Sequence, residues 1–356
     1  MSDLHREVNF EGDLVAHLVA HGWLEGESQK YDRELALYPE DLIGWLRETQ
    51  PHELEKLAAF HGAATEQKVL ERAVALMDKD GSLALLRHGF KDHNARFQLC
   101  QFQPSHGFNP EILEKFSKVR CRVVRQVRYS RHNENSIDLV LFVNGVPVAT
   151  LELKTDFTQS VTDAVRQYRN DRSPKDPVSR QTEPLLAFKR RTLVHFAVST
   201  DEVYMSTELK GKDTVFLPFN RGNDGGKGNP ANPAGYRTSY LWERVLERRT
   251  WLDIIGRFVH LEKKEKVSIA GAKTTAESMI FPRYHQWEAA TELEVAAKKA
   301  GPGETYLIQH SAGSGKSNSI GWLCHRLASL HASDDRKVFD SVIVITMVVP
   351  SFRTIV

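Results

Sequence analysis

The stretch Ser136-Ile-Asp-Leu-Val-Leu-Phe-Val-Asn-Gly-Val-Pro-Val-Ala-Thr-Leu-Glu-Leu-Lys154 decides the fold that the sequence predicts. Two apolar runs flank Asn144-Gly145, a dipeptide typical of tight β-hairpin turns. Each predicted strand carries one acid, Asp138 in the first and Glu152 in the second. Because side chains on a strand alternate between faces, Glu152 and Lys154 share one face. The stretch therefore predicts an apolar hairpin that carries two acids and a lysine.

The register of the hairpin decides whether its two acids lie together. A plain two-residue turn sets Asp138 and Glu152 on opposite faces of the sheet. A three-residue loop, or a bulge at Gly145, instead places the two acids directly opposite each other. Pro147 cannot donate a ladder hydrogen bond, which also favours an irregular turn. A site built from both acids therefore predicts that the turn at Asn144-Gly145 is not a plain two-residue turn.

Two carboxylates and a lysine on one hairpin suit the hydrolysis of phosphodiester bonds. Phosphate esters hydrolyse so slowly in water that an enzyme must lower the barrier by on the order of 20 kcal/mol. General acid–base catalysis gives only about 10²–10⁴-fold. A divalent cation held by carboxylates also polarises the phosphate and activates water. The alternative is a surface hairpin with an incidental salt bridge, and this stretch alone leaves both interpretations open.

Length and composition are those of an ordinary globular protein of about two domains. Of the 356 residues, 41% are hydrophobic and 26% are charged, and the formal net charge of +2 does not by itself indicate nucleic-acid binding. No apolar run is long enough for a transmembrane helix, and no signal peptide is recognisable. The three cysteines, Cys100, Cys121 and Cys324, are scattered, which predicts a reducing, cytoplasmic compartment and no zinc site.

The pattern along the chain predicts helices first and strands later. Residues 8–89 show apolar stripes at helical spacing. Residues 96–102 and 119–129 read as strands, and the second of these segments carries four arginines. Those arginines either neutralise DNA phosphates or form the solvated face of a strand. Ser160 and Asp163 have the spacing of a capping box, which predicts the start of a helix.

Three segments further along suggest where the domains meet. Residues 220–235 are rich in Gly, Asn and Pro and predict a surface loop. Residues 240–261 return to a helical pattern. Residues 263–278 are charged at first and then small and polar, which predicts a linker between domains.

A second stretch with recognisable chemistry is Thr305-Tyr-Leu-Ile-Gln-His-Ser-Ala-Gly-Ser-Gly-Lys-Ser317. It predicts a strand over 305–310, a glycine-rich loop and a helix over 318–330, the context that a phosphate-binding loop requires. In such a loop the glycines let backbone N–H groups approach phosphates, the lysine reaches the β- and γ-phosphates, and the serine ligates Mg²⁺. The alternative is an accidental Gly-Lys-Ser turn. The predicted nucleotide-binding residues are Gly313, Ser314, Gly315, Lys316 and Ser317.

The segment Phe281-Pro-Arg-Tyr-His-Gln286 extends the predicted nucleotide site. It resembles the Q motif of superfamily 2 helicases, which makes Arg283 and Gln286 candidate nucleotide contacts. The amide of Gln286 offers both a donor and an acceptor, as adenine requires. The strict phosphate-loop pattern begins with a glycine where this chain has His310. Helicases of this superfamily usually lack that glycine, so the departure selects among families.

Together these residues resemble the restriction (motor and nuclease) subunit of type I restriction-modification enzymes. Asp138, the hairpin and the segment Glu152–Lys154 resemble a PD-(D/E)XK nuclease core, with Ile137 in place of the proline. The glycine-rich loop resembles that of a superfamily 2 translocase. Other segments that carry the resemblance are Leu193–Val198, Phe216–Asn220 and Trp251–Phe258.

The resemblance implies roles for individual residues and two cofactors. The catalytic residues would be Asp138, Glu152, Lys154 and Gln167. The two acids would hold Mg²⁺, and ATP would bind at the glycine-rich loop. Gln167 would match the glutamine of the family's Gln-x-x-x-Tyr element, although Asp171 stands at the tyrosine position and Tyr168 is displaced from it. Glu11, on the first helix, would add to the metal site.

The resemblance also implies a fold class and a division into domains. The predicted class is α/β, with a PD-(D/E)XK nuclease core, a mixed sheet flanked by helices, followed by the start of a RecA-like superfamily 2 helicase domain. The predicted domains are an endonuclease with a helical N-terminal part (1–262), a linker (263–278) and a truncated first RecA-like domain with the ATP-binding loop (279–356).

The predicted function is Mg²⁺-dependent cleavage of double-stranded DNA, coupled in the full enzyme to ATP-driven translocation. Methylation and specificity subunits would be the partners, and the recognised DNA sequence would be chosen by the latter. A strand is predicted over 341–346, but no later helicase motif is recognisable. Two alternatives therefore remain, a truncated non-catalytic remnant of such a subunit and a stand-alone RecB-like nuclease.

Overall fold

The computed structural model describes residues 3–105, 109–155, 160–267, 273–311 and 313–345. The chain divides into two compact units. The first unit comprises residues 1–104 and 110–284, and the second comprises residues 105–109 and 285–356. The candidate nuclease residues lie in the first unit and the glycine-rich loop lies in the second.

Helices and strands alternate through most of the described chain. The helices are α1 (Asp3–Ala20), α2 (Pro39–Thr49), α3 (Pro51–His61), α4 (Thr65–Asp80), α5 (Ser82–His88), α6 (Pro110–Ser117), α7 (Val161–Asp171), α8 (Arg248–Asp253), α9 (Tyr284–Ala300) and α10 (Lys316–Ala328). The strands are β1 (Leu24–Gly26), β2 (Phe90–Asp92), β3 (Ala95–Phe97), β4 (Cys121–Arg128), β5 (Ser136–Val143), β6 (Val146–Leu153), β7 (Val194–Val198), β8 (Val203–Ser206), β9 (Leu217–Pro218), β10 (His260–Val267) and β11 (Lys273–Ile280). Short π-helical segments, Leu241–Val245 and Ile254–Phe258, flank α8. Within the part of the chain that is described, no helix is both long and apolar enough to cross a membrane.

Seven strands of the first unit form one mixed sheet in the order β1-β4-β5-β6-β7-β8-β9. The pairs β1–β4 and β6–β7 are parallel, and the other neighbours are antiparallel. The parallel step from β6 to β7 passes through α7, because parallel strands need a crossover connection. Every residue of β6 is buried. This mixed sheet with its flanking helices confirms the predicted α/β class.

The turn of the β5–β6 hairpin is a two-residue turn, contrary to the prediction. Val143 pairs with Val146. Asn144 and Gly145 both have positive φ, 46° and 80°, as in the type I′ turns that match the twist of antiparallel strands. The prediction of an irregular turn is therefore wrong, because the irregularity lies elsewhere in the hairpin.

A β-bulge two residues beyond the turn supplies the register shift. Phe142 pairs with Pro147, but Leu141 pairs with Ala149, so Val148 is the extra residue. The shift allows Pro147, which has no N–H, to lie next to the irregular step of the ladder. A bulge displaces the register by one residue just as an odd-length turn would. The tight turn and the facing acids are therefore compatible.

The predicted helical start of the chain and the predicted capping box are both confirmed. Helices α1 to α5 occupy most of residues 3–88. At the start of α7, the Ser160 hydroxyl accepts a hydrogen bond from the N–H of Thr162 (3.2 Å), and the Asp163 carboxylate accepts one from the N–H of Ser160 (2.8 Å). These bonds satisfy N–H groups that the first turn of a helix leaves without partners.

The predicted linker over 263–278 is wrong, because most of this segment lies in two paired strands. His260 pairs with Ile280 and the antiparallel register continues to Val267 and Lys273. Just beyond β11, Phe281 packs edge-on against Phe196 with ring centroids 5.9 Å apart. The segment is charged at first and then small and polar because the hairpin is largely exposed, and exposed strands need no apolar side chains.

The second unit contains α9 and α10, and its described residues form neither of the two strands that the sequence predicts. Residues 305–310 and 341–345 lie in neither a helix nor a strand, and they pair with no strand among the described residues. Their apolar side chains are exposed, with Leu307 at 93% and Ile345 at 90%. An apolar run becomes a strand only when neighbouring strands satisfy its backbone groups. Residues 346–356, which include the end of the second predicted strand, lie outside the described residues.

Candidate active site at the end of the hairpin

The bulge places the two hairpin acids opposite each other. Leu139 pairs with Leu151, and one further step in the same register sets Asp138 opposite Glu152. The Asp138 carboxylate also accepts a hydrogen bond of 2.8 Å from the N–H of Leu153. The site hypothesis requires this arrangement, and the structure reaches it through Val148 rather than through the turn.

Glu152 is a fully buried acid with one oxygen satisfied and one not. The Arg172 Nε donates a hydrogen bond of 2.6 Å to Glu152 Oε1. Arg172 follows the last residue of α7 and is itself only 6% exposed. The Oε2 atom of Glu152 is buried and has no hydrogen-bond partner among the described residues. A buried carboxylate oxygen without a partner is costly, so this atom marks a place suited to a cation.

Electrostatics at the hairpin resist the ionisation of Glu152. Burial raises the pKa of the Glu152 carboxyl well above its usual range, and the nearby charge of Asp138 raises it further. The positive charges of Arg172 and Lys154 act in the opposite direction and lower this pKa. Two acids that share a site repel each other when both are ionised. A bound cation would reverse that penalty.

The third member of the motif, Lys154, follows β6 directly. Its backbone N–H donates to the carbonyl of Val198 at 2.9 Å, so the chain at Lys154 is held beside β7. The side chain is half-buried. The structure thus brings Asp138, Glu152 and Lys154 together at one end of the hairpin, as the sequence predicted.

A glutamine that the sequence did not single out links Asp138 to α1. The Gln126 side-chain nitrogen donates to Glu11 Oε2 at 3.0 Å and lies 3.4 Å from Asp138 Oδ1. Gln126 has φ 47°, which is unusual for a residue other than glycine. It interrupts the β4–β5 ladder, since the pairing passes from Arg125–Leu139 directly to Val127–Ile137. Through Gln126, the carboxylate of Glu11 lies beside the hairpin acids.

The predicted catalytic residue Gln167 lies on α7 and makes no hydrogen bond to Asp138 or Glu152 among the described residues. Its Oε1 atom is buried without a hydrogen-bond partner in the same part of the chain. The neighbouring Tyr168 is fully buried, and its hydroxyl lies 2.8 Å from the Thr150 hydroxyl. Tyr168 therefore faces the sheet and packs close to the hairpin, whereas the role of Gln167 stays a prediction.

The four arginines near the start of the hairpin are paired with acids of the chain. This favours a structural role over the alternative of free charges for DNA phosphates, because each guanidinium already has a carboxylate within 3.3 Å. The pairs are Arg120–Glu48, Arg122–Asp41, Arg125–Glu25 and Arg128–Glu134. The Arg122–Asp41 pair is largely buried, with Nε and Nη2 of Arg122 both donating to the carboxylate.

In the second unit the predicted nucleotide residues form a loop that leads into α10. Gly313 and Gly315 have positive φ, 73° and 82°, and α10 begins at Lys316. The Lys316 ammonium donates to the carbonyls of His310 (3.1 Å) and Ser311 (2.9 Å). Ser317 is exposed in the first turn of α10, and the hydroxyl of Ser314 is buried. Ala312 lies outside the described residues.

The predicted adenine contact, Gln286, lies against the same loop. Its side-chain nitrogen donates to the carbonyls of Ser314 (3.1 Å) and Gly315 (3.0 Å). A Cβ atom at Gly315 would lie 2.5 Å from that nitrogen, so only glycine fits there without a shift of Gln286. The donor that adenine binding would use is therefore engaged by the loop. Arg283, the other predicted contact, belongs to the first unit and is half-buried.

Two residues of the site, Arg172 and Gln126, were not predicted from the sequence. Arg172 gave no signal, because an arginine just after a helix is usually a solvated surface residue. Gln126 gave none, because a positive φ at a glutamine cannot be read from spacing. Both act on the hairpin acids through contacts between segments that are far apart in the chain.

The fold and the site define a class: a mixed α/β domain whose central hairpin carries a buried acid and a half-buried acid beside a lysine. Residues 56–214 match the sequence profile of the family described as "type I restriction enzyme R protein N terminus". This match supports the predicted resemblance of the chain to the N-terminal portion of a type I restriction enzyme R protein. The matched range contains Asp138, Glu152, Lys154 and Gln167. A search of curated proteins found no match to the chain.

Proposed function

We propose that the first unit is a Mg²⁺-dependent DNA endonuclease and serves as the nuclease part of a type I restriction enzyme. The single observation that supports this most strongly is the buried Glu152 Oε2 atom, which has no hydrogen-bond partner in the described part of the chain. It belongs to the acid opposite Asp138, and together two carboxylates are the ligands that Mg²⁺ prefers. The residues present therefore fit the cation.

When bound, Mg²⁺ would polarise a phosphate oxygen and lower the pKa of a water molecule. The residues of the chain would orient the reactants. The N–H of Leu153 donates a hydrogen bond to Asp138, which fixes the orientation of the Asp138 carboxylate. Arg172 compensates part of the charge of Glu152 and so favours the ionised form that binding of a cation requires. The ammonium group of Lys154 would stabilise negative charge that develops on the phosphate.

Gln167 and Glu11 are proposed to contribute at the edges of this site. Gln167 has a buried amide oxygen without a partner among the described residues, so a bound group could engage it. Glu11 is connected to Asp138 through Gln126 and would supply a third carboxylate. The proposed substrate is double-stranded DNA. The proposed partners are methylation and specificity subunits, with cleavage coupled to ATP-driven translocation in the full enzyme.

We also propose that ATP binds at the glycine-rich loop of the second unit. Support comes from the two glycines with positive φ and from the start of α10 directly after them. The N-terminal end of a helix attracts phosphate. Binding of a fluorescent ATP analogue should be lost in Lys316→Ala and retained in Lys298→Ala, an exposed lysine of α9. Equal binding by both variants would contradict this proposal.

The nuclease proposal is tested by comparing the chain with Asp138→Asn in a plasmid-nicking assay with Mg²⁺. Asparagine keeps an oxygen that accepts the Leu153 N–H bond but removes the charge, so the fold should be retained. We expect nicking to fall by at least about 100-fold, because the loss of a charged metal ligand removes much of the cation affinity. A matched control is Asp224→Asn, which changes an exposed acid in the loop over residues 220–235.

Two measurements decide the outcome. Equal nicking by the chain and by Asp138→Asn, or nicking by neither, would contradict the nuclease proposal. Calorimetric titration of the chain with Mn²⁺ measures metal binding directly and does not depend on DNA. Binding should weaken in Asp138→Asn and Glu152→Gln and stay unchanged in Asp224→Asn.

A further inference from the structure

A second cluster of metal-binding side chains lies in the first unit, on helix α3 and the β2–β3 hairpin. It consists of His61, Asp92 and His93, whose ligand atoms all lie within 4.8 Å of one another. Cysteine spacing gave no indication of a zinc site, but this cluster is built from imidazoles and a carboxylate. His61 and Asp92 are far apart in the chain, so their proximity arises only in the folded protein.

The cluster is held in place by contacts that do not involve its own side chains. The Glu53 carboxylate of α3 accepts a hydrogen bond of 2.7 Å from the N–H of Arg96 in β3. The Gln50 amide oxygen, just before α3, accepts one of 2.7 Å from the N–H of Gln98. Helix α3 is thereby fixed against the hairpin. Its last residue, His61, is brought to the hairpin turn.

The side chains at the turn are also oriented. The ring of Phe60 stacks on that of His93 with centroids 4.9 Å apart and planes 24° apart. The rings of His61 and His93 are nearly perpendicular, at 78°, with centroids 5.4 Å apart. The Nδ1 atom of His93 lies 3.1 Å from a carboxylate oxygen of Asp92. The side chain of Asp92 is only 15% exposed, so water screens this carboxylate little.

We propose that His61, Asp92 and His93 bind one zinc-like divalent transition-metal ion. Two imidazoles and one carboxylate suit Zn²⁺, with a water molecule in the fourth position, and they disfavour Mg²⁺, which prefers oxygen ligands. Ligands about 2.0–2.2 Å from a tetrahedral ion lie roughly 3.3–3.5 Å apart. The ligand atoms now lie within 4.8 Å of one another, so side-chain movements of about 1 Å would bring them to that range. His61 is in the last turn of α3, where the helix dipole favours a cation.

The ion would join the end of α3 to the β2–β3 turn, which stabilises the folded state by mass action. This role is independent of the proposed nuclease site. The test therefore uses metal binding and stability as readouts, and millimolar Mg²⁺ is present throughout to occupy carboxylate sites. The metal-stripped full chain is titrated with Zn²⁺ by calorimetry and with Co²⁺ by visible absorption, which reports the coordination of the ion.

Two variants remove ligands with little risk to the fold. His93 has φ 47°, a conformation that glycine adopts without strain, so His93→Gly removes the imidazole and relieves the turn. His61→Ala removes the second imidazole at the end of a helix. A matched control is His52→Ala, an exposed histidine of the same helix. A second control is His21→Ala, because His17 and His21 stack on α1 with ring centroids 4.0 Å apart.

We expect the chain to bind one equivalent of Zn²⁺ and to show the intense visible bands of four- or five-coordinate Co²⁺. Affinity should fall by at least about 10-fold in His93→Gly and His61→Ala, since even residues behind the ligands change metal affinity by 10–100-fold. It should be unchanged in His52→Ala and His21→Ala. The proposal is overturned if the chain binds no Zn²⁺ at micromolar concentration, if both ligand variants bind like the parent, or if His21→Ala alone abolishes binding. Circular dichroism checks that each variant is folded.

Discussion

At the scale of single residues, burial decides the chemistry of the site more than residue type does. Glu152 and Asp138 are both acids of one hairpin, yet Glu152 is fully buried whereas Asp138 is half-buried. Burial raises the pKa of Glu152, and Arg172 opposes that change. Removing one partner of a buried ion pair commonly costs about 3–5 kcal/mol, so Arg172 is as much a part of the site as the predicted residues.

His195 offers a pH-dependent prediction that is independent of the hairpin acids. It is fully enclosed, its Nδ1 atom lies 2.7 Å from the Thr150 hydroxyl, and burial lowers its pKa from 6.5 to about 3. The folded protein thus keeps His195 neutral at a pH where the unfolded chain binds a proton. The contribution to stability is fully present above the unfolded pKa and is lost as the pH falls from 6.5 toward 3.

We expect the free energy of unfolding to fall by about 2 kcal/mol more between pH 7 and pH 5 in the parent chain than in His195→Gln. Urea unfolding followed by tryptophan fluorescence measures both slopes. His52→Gln, which changes an exposed histidine with 78% side-chain exposure, should keep the parental slope. The same pH dependence in His195→Gln and the parent would show that His195 is not held neutral in the folded state.

At the scale of elements, the hairpin combines a tight turn with a bulge. The turn is pinned to the start of α2, because the carbonyl of Gly145 accepts a hydrogen bond of 2.8 Å from the N–H of Tyr38. The buried amide of Asn144 bonds the N–H of Arg120 (2.7 Å) and the carbonyl of Leu99 (2.9 Å). With the turn fixed, the extra residue Val148 sets the register of the second strand.

Two features of the structure therefore require glycine at position 145, its positive φ and its close approach to Tyr38. Its φ is 80°, and an added Cβ would lie 2.3 Å from the carbonyl oxygen of Tyr38. Gly145→Ala should destabilise the chain by the cost of a left-handed alanine, about 1–2 kcal/mol, plus about 1–3 kcal/mol for the clash. Urea unfolding measures the total.

The matched control for this substitution is Gly225→Ala in the loop over residues 220–235. Gly225 has nearly the same φ, 78°, but a Cβ there would meet nothing within 4 Å. Replacement of Gly225 by alanine should lower the free energy of unfolding only by the cost of a left-handed alanine, about 1–2 kcal/mol. If the two variants lost equal stability, close packing of the turn against α2 would not be the reason for glycine at position 145.

At the scale of the whole molecule, the first unit extends beyond the predicted domain boundary at 262. Strand β10 pairs with β11, and Tyr284 packs on Phe219 and Tyr240 with ring centroids 5.9 and 5.0 Å away. Phe281 packs on Trp251 at 6.0 Å. Phe281 and Tyr284 therefore belong to the aromatic core of the first unit.

A chain that ends at Tyr284 should fold cooperatively, whereas one that ends at residue 262 should be less stable by more than about 3 kcal/mol. The shorter chain lacks the buried rings of Phe281 and Tyr284, and truncation of one buried phenylalanine already costs about 3–5 kcal/mol. Urea unfolding monitored by circular dichroism compares the two chains. The longer chain with Phe281→Ala should lie between them. If the two chains were equally stable, residues beyond 262 would not belong to the folded first unit.

Local patterns determined a large part of this protein. Apolar periodicity predicted the helical start, the Asn-Gly dipeptide predicted the hairpin, and Ser160 with Asp163 predicted the start of α7. Asp138, Glu152 and Lys154 carried part of the resemblance to the type I restriction R subunit, which the family match supports over residues 56–214. These features depend on interactions between residues close in the chain, which spacing alone reveals.

Tertiary structure decided what depends on contacts between distant segments. The bulge at Val148, not the turn, set the acids opposite each other, because α2 holds the turn in its tight form. Arg172 reached Glu152 only through the packing of α7 on the sheet. The segments 305–310 and 341–345 had the composition of strands but found no strand to pair with in the described chain, so they stayed unpaired. Sequence thus fixes local preference, while neighbours in space determine register, burial and charge.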